Sequence, residues 1–304
     1  MTMPPSVCIL CGTNEYAREL YPSNVSAGHL NPEIFSARRM PDRVHGRILR
    51  CGTCGLVYAS PLVDPAILSA LYEKSKFTYG GQETFIRKTY ARYLKRLVRT
   101  LEGQPKPWVY LDVGCGNGFM LPVARELGFE DVRGVEPSSD AIAKADPSIR
   151  AGITQGMFRE GIYPENTFDA ISCFQTLDHL PDPVSFVREC LRILKPGGAV
   201  LFINHNIASW SSKILGERCP MIDIEHTYLH TPHTMRLLFG REGFTDFDAF
   251  SVRNDYPLRY WLHLLPFPAG AKNALIRMVN AVGLGGLIIP FYPGNLGLIA
   301  RKPE

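Results

Sequence analysis

Two hydrophobic periods run through this chain. Short apolar runs at 109–113, 131–136, 149–155, 168–174 and 199–204 are bounded by glycine, proline or acidic residues, and each reads as a strand. Between them, 119–127 and 184–194 carry apolar residues at helical spacing, the second ending at Lys195-Pro-Gly-Gly198. This alternation predicts a doubly wound, parallel α/β sheet. Ahead of it, Ile86, Tyr90, Tyr93, Leu94, Leu97, Val98 and Leu101 form one stripe of an amphipathic helix. Its other faces carry Arg87, Lys88, Arg92, Lys95, Arg96 and Arg99 with no acid between them, and are read as a solvated surface rather than a phosphate or lipid dock. Beyond the sheet come a helix at 234–243, a strand at 245–252 and a last strand at 295–301.

The first of these strands ends in Asp112 and runs into Gly114, Gly116 and Gly118, followed at once by the 119–127 helix. Glycines at alternate positions let a ligand approach the backbone closely, because they lack a Cβ and tolerate positive φ. The spacing is G-x-G-x-G, which departs from the G-x-G-x-x-G fingerprint of dinucleotide binding and argues against NAD. The next strand also ends in an acid, Glu136, which suits a pair of ribose hydroxyls at the edge of a parallel sheet.

Composition adds the bounds. The chain has 304 residues, 45% hydrophobic and 20% charged, with a formal charge of +4, too mild to imply a nucleic-acid partner. No signal-peptide pattern opens it and no apolar run approaches bilayer length, so a soluble, cytoplasmic protein is expected. In that compartment its eight cysteines are thiols or metal ligands rather than disulfides. Cys8, Cys11, Cys51 and Cys54 form two C-x-x-C knuckles, each followed by glycine, the pattern of a zinc ribbon holding one structural Zn²⁺. A closed four-cysteine site has no open position and so no chemistry of its own. Between the knuckles, Arg38, Arg39, Arg43, Arg47 and Arg50 with His29 and His45 form an insertion, read as a solvated face before an acidic-partner dock.

The segments LDVGCGNG, VRGVEPS, FDAISCFQTLDHLPDP and LRILKPGGAVLFIN, in this order, resemble the successive motifs of class I S-adenosylmethionine-dependent methyltransferases. The knuckles, ending RCGTCGLVYASP, resemble the zinc-binding segment fused to a subset of those enzymes that is implicated in sugar, polysaccharide and natural-product methylation. The resemblance implies a Rossmann-like, seven-stranded sheet whose last strand is antiparallel. It implies that Asp112 and the Gly114, Gly116 and Gly118 loop hold the methionine end of S-adenosylmethionine and Glu136 the ribose. The backbone around Met157 and Phe158 would hold the adenine, with Phe174 and Gln175 opposite and Tyr72 and Tyr79 as an aromatic cover. This chain departs from the family in having Gly156-Met157-Phe158 where an acid is common in the adenine loop, and Asp178 where glutamate is common.

Methyl transfer to an alcohol needs alignment and a proton acceptor, and histidine is the natural base near neutral pH. His179 and His226 are the catalytic candidates, with His205 next. A second metal site at the histidines from His205 to His233 is disfavoured, because Pro232 interrupts any helical ligand spacing. The expected division is a zinc-ribbon segment at 1–62, a helical bridge at 63–108 contributing to the cofactor lid, and a core at 109–304 with an apolar insertion at 254–293. That insertion is read as an active-site lid or homodimer face before a peripheral membrane contact. The leading function is O-methylation of a sugar, glycan or related intermediate, small or carrier-linked. A C-methyltransferase on a keto-sugar is the near alternative, and a non-catalytic partner-binding module the distant one.

Overall fold

A computed structural model of the chain describes residues 6–26, 31, 34–35, 43–78, 82–265 and 267–304. His29, Arg38, Arg39 and Tyr79 lie outside the described residues. The N-terminal part contributes β1 (Ala17–Tyr21), β2 (Ile48–Cys51) and β3 (Val57–Ala59), paired antiparallel in that order. Two helices follow. In α1 (Pro65–Glu73) the Asp64 carboxylate caps the Ala66 and Ile67 amides and proline occupies the first turn. In α2 (Glu83–Thr100) the apolar stripe from Ile86 to Leu97 is buried.

The core then alternates as its periods predict: β4 (Trp108–Val113), α3 (Leu121–Glu126), β5 (Phe129–Glu136), α4 (Ser139–Ala143), α5 (Pro147–Arg150), β6 (Ile153–Gln155), β7 (Phe168–Phe174), α6 (Pro183–Ile193) and β8 (Leu194–His205). One boundary differs from the sequence reading. Ile149 belongs to α5, because Asp146 caps that short helix and Pro147 starts it, which leaves β6 only three residues. The chain continues through α7 (Trp210–Leu215), β9 (Tyr228–Leu229), α8 (Pro232–Arg241), β10 (Thr245–Pro257), α9 (Leu258–Leu264), α10 (Ala269–Ala281) and β11 (Ile288–Arg301).

The large sheet has seven strands in the order β10-β11-β8-β7-β4-β5-β6. Strand β11 runs antiparallel to both of its neighbours, and the pairs β8-β7, β7-β4, β4-β5 and β5-β6 are parallel. This is the α/β, doubly wound, Rossmann-like sheet with an antiparallel last strand. Every residue of β7 is buried, as a central parallel strand covered on both faces requires. Alternate residues serve opposite faces. Tyr110, Ala170 and Leu201 meet Tyr90, Leu94 and Leu97 of α2, whereas Leu111, Ile171 and Phe202 meet Val187 of α6 and Leu238 and Phe239 of α8. The second face also takes in Leu10, Leu49, Leu56 and Tyr58, so the N-terminal part shares this core.

Two pairings fall outside the sequence reading. Strand β9 joins the small sheet, with Tyr58 opposite Tyr228 and Val57 opposite Leu229. Strands β10 and β11 extend beyond the sheet, pairing Asn254 with Phe291 and Tyr256 with Ile289, and α9 and α10 cap this arm. The cationic face of α2 is partly occupied by the arm's base: Arg92 pairs with Asp255, Arg96 pairs with Asp248 at 2.6 Å, and Arg96 also lies over Phe250.

Candidate active site

Strand order reverses between β4 and β7, and a ligand crevice belongs at the carboxyl ends of the strands there. A cavity of about 640 Å³ opens at that point. Its floor is made by Gly114 and Gly116 after β4, Glu136 at the end of β5, Phe174 and Gln175 after β7, and His205 at the end of β8. Met157, Phe158, His179 and His226 also border it.

The glycine loop has the shape of a cradle. Gly114 and Gly116 have φ of +73° and +58°, and a Cβ on Gly114 would lie 2.3 Å from Thr176 Oγ1. A Cβ on Gly116 would meet the Phe77 ring at 2.8 Å, so Phe77 is an aromatic that covers this loop. No periodicity marks Phe77 in the sequence, since it sits in the irregular segment between two helices. Gly118 does not border the cavity; it admits the side chains of Ile149 and Ile153 below the loop.

Of the two acids, Glu136 borders the cavity. It is 8% exposed and accepts from the Gly116 and Ser138 amides at 2.8 and 2.9 Å, while burial raises its pKa against those bonds. Asp112 stands behind the loop rather than at the cavity wall. It is 2% exposed and accepts from Ser172 Oγ at 2.5 Å, and Ser172 is in turn bonded to the Tyr110 hydroxyl. Burial pushes its carboxyl up to about 7. Gln175 is held at φ +54°, and both atoms of its buried amide lack a hydrogen-bond partner among the described residues. An amide so placed at a cavity wall is a ready donor and acceptor for a bound molecule.

Three histidines converge on the other side. His226 lies between the other two, with ring centroids 4.9 Å from His179 and 4.5 Å from His205. His226 Nδ1 is 2.9 Å from the Met221 carbonyl, an acceptor only, so that nitrogen carries the proton and the neutral ring has its lone pair on Nε2. His179 Nδ1 bonds the Tyr72 hydroxyl at 2.9 Å. His205 differs in having a buried carboxylate behind it: both its backbone N–H and its Nδ1 lie 2.9 Å from Asp178 Oδ2. Asp178 is fully buried, and its other oxygen has no hydrogen-bond partner among the described residues. His230 stands apart, and burial lowers its pKa to about 4. The sequence ranked His205 third because its partner comes from a different loop, and no local pattern joins them.

The Cys8, Cys11, Cys51 and Cys54 sulfur atoms all lie within 4.8 Å of one another. Cys8 and Cys54 are 3.5 Å apart and Cys11 and Cys51 3.8 Å, close to the ~3.8 Å edge of a tetrahedron with metal–sulfur bonds of about 2.3 Å. Among the described residues, no other histidine, cysteine and acid group brings its ligand atoms together in this way.

Comparisons with known proteins agree with this arrangement. The family model described as a methyltransferase domain matches residues 84–248, more than half of the chain. The ubiquinone biosynthesis O-methyltransferase of Burkholderia multivorans is 35% identical over 114 residues, which are 35% of this chain and 49% of that protein. The protein of the same name from Proteus mirabilis is 34% identical over 115 residues, 35% of this chain and 46% of its own. The chain thus spans about half the length of the curated relatives it matches. Among solved structures, a SAM-dependent methyltransferase from Archaeoglobus fulgidus superposes with a TM-score of 0.51 at 20% identity, over 73% of this chain and 97% of that one, a likeness of fold. With the glycine loop, the strand order and the matched segment all in agreement, this chain belongs to the methyltransferase domain family.

Proposed function

We propose that the protein is an S-adenosylmethionine-dependent O-methyltransferase. The observation that carries this reading is that the glycine cradle with Glu136 and the carboxylate-backed His205 border one cavity. The residues present suit the cofactor. The Gly114 and Gly116 backbone, turned by its positive φ, borders the cavity where the methionine end would lie, Glu136 offers a carboxylate to a ribose diol, and the buried Gln175 amide has neither its donor nor its acceptor met among the described residues. Met157 and Phe158 offer an apolar wall for adenine. Asp112 does not border the cavity and instead ties the end of β4 to β7 through Ser172 Oγ. Bound there, S-adenosylmethionine supplies an electrophilic methyl group on a sulfonium.

Most of the rate would come from alignment of the acceptor, and the rest from removal of its proton. His205 is the base this geometry favours. With Nδ1–H donated to Asp178, the neutral ring has its lone pair on Nε2, and the carboxylate stabilises the imidazolium that forms when an acceptor hydroxyl gives up its proton. His226 and His179, with Tyr72, line the acceptor beside it and orient its hydroxyl. The acceptor half of the cavity is built from Trp210, Tyr260, Trp261, Leu262, Leu265 and Phe291, which suits a molecule with apolar or aromatic surface and gives a bare sugar few partners. The relatives' names, O-methyltransferases of ubiquinone biosynthesis, support a hydroxyl acceptor. The four cysteines are assigned a structural Zn²⁺ on their tetrahedral spacing.

Titration calorimetry with S-adenosylmethionine and S-adenosylhomocysteine tests the reading. Micromolar binding by the wild type, lost in Gly116→Val, is expected. Absence of binding to both compounds by a folded wild-type protein would overturn it.

A further inference from the structure

The arm formed by β10, β11, α9 and α10 is unlike the rest of the surface. Most of the large apolar side chains exposed among the described residues lie on it or on the adjoining α7. Met278, Val282, Leu284 and Leu287 are each about half exposed or more, and α10 buries only Val279. An apolar patch of this kind marks an interaction surface. Three observations bear on what covers it.

The first is charge. From Tyr256 to Pro303 the chain carries no aspartate or glutamate, whereas Arg259, Lys272 and Arg277 lie on the arm. Apolar side chains interleaved with cations and free of acids suit an anionic lipid surface. A second copy placed on a two-fold axis would set these cations against their own equivalents.

The second is continuity with the cavity. Trp210, Ile214 and Phe291 are exposed and also border the cavity, so the patch runs into its mouth. Aromatic rings continue inward: Trp210 to Phe291 at 5.4 Å, Phe291 to Trp261 at 5.2 Å and Trp261 to Tyr256 at 5.4 Å. The third is how these rings are held. The Trp210 and Trp261 indole N–H groups donate to the Tyr292 and Ile289 carbonyls at 3.1 and 3.0 Å, so their polar atoms are satisfied and the ring faces are left as an apolar lining.

We propose that the arm docks on an anionic membrane surface, and that the methyl acceptor is an amphiphile whose apolar tail runs from the bilayer past Ile214 and Phe291 into the cavity. The tail lies along the Trp261 corridor, and its hydroxyl-bearing head reaches the histidines. No helix among the described residues is long and apolar enough to cross a membrane, and the arm requires none, because its apolar face lies in the interface. This inference rests on the methyl-transfer reading of the same cavity, and the two fail separately, since cofactor calorimetry tests that reading without lipid.

The test is flotation with phosphatidylcholine vesicles, with and without phosphatidylglycerol, on the wild type and on Val282→Asp/Leu287→Asp, two exposed positions outside the cavity. Wild-type protein is expected to float with the anionic vesicles and to be released by salt. The variant is expected to bind about tenfold more weakly or worse, with unchanged affinity for S-adenosylhomocysteine. In the same vesicles, a hexadecyl amphiphile bearing a diazirine is expected to label Leu262 or Leu265 inside the cavity. Failure of the wild type to float, equal flotation of the variant, or label confined to the outer face of the arm would each overturn the proposal. So would a wild-type dimer in lipid-free solution that the same substitutions dissociate, because a second copy would then be the occupant.

Discussion

His205 and Asp178 make the sharpest residue-scale case. Replacing the carboxylate by an amide in Asp178→Asn removes the charge proposed to stabilise a protonated His205, and His205→Gln removes the proposed base. Each is expected to lower kcat by roughly 10²–10⁴-fold with cofactor affinity retained, as read by single-turnover kinetics beside calorimetry. An equal loss in His226→Gln with little effect of His205→Gln would transfer the role to His226. Asp112 gives a second prediction. Its folded pKa of about 7 lies above its ordinary value of 3.8, so the folded chain keeps a proton that the unfolded chain releases. Stability therefore falls as pH rises from about 4 to about 7. Asp112→Asn is expected to flatten that slope, by an amount on the order of a few kcal/mol across the window, in urea melts at several pH values. An unchanged slope would mean that Asp112 is already ionised near its ordinary value in the folded protein.

At the scale of elements, the pairing of β3 with β9 connects the cysteine cluster to the histidines. Cys51 ends β2, β2 pairs with β3, and β3 pairs with Tyr228 and Leu229, two residues beyond His226. The adjoining Thr227 donates its amide to the Asp178 carbonyl at 2.7 Å and accepts from the Ala59 amide at 2.9 Å. The small sheet thus braces the segment that carries His226 against the loop that carries Asp178. Cys51→Ser, or zinc removal by a chelator, is expected to lower the melting temperature by several degrees and kcat by about tenfold or more, although none of the four clustered cysteines borders the cavity. Unchanged turnover in a verified zinc-free protein would reduce the cluster to a local staple. The glycine loop belongs to the same scale: Gly114→Ala combines a positive φ with a methyl group 2.3 Å from Thr176 Oγ1, and is expected to weaken cofactor binding by 10-fold or more.

Across the whole molecule, the cavity is walled by every part of the chain: Tyr72 and Phe77 from the bridge, the ends of β4, β5, β7 and β8, the His226 segment braced by the small sheet, and the arm. A ligand that touches all of these should stabilise the entire fold. S-adenosylhomocysteine at a hundred times its dissociation constant is expected to add about 2.7 kcal/mol, seen as one cooperative transition shifted upward by a few degrees. A shift confined to part of a biphasic melt would show that the N-terminal part unfolds independently.

Much of this was legible without coordinates. Local periodicity determined the alternating strands and helices, because a buried parallel strand must be apolar on both faces and an amphipathic helix on one. The loop after Asp112 declared itself because only glycine tolerates that backbone, and the cysteine knuckles did so because thiolate spacing is set by tetrahedral geometry. Tertiary structure alone decided the remainder. Asp178 reaches His205, Phe77 covers Gly116, Arg92 meets Asp255, and Tyr228 joins the strands of the N-terminal sheet. Each of these joins residues far apart in the chain, through contacts that no local period encodes. The loop opened by Asp112 was therefore readable as a cradle from the sequence, while the pairing of Asp178 with His205, on which the proposed base rests, came from a contact made only on folding.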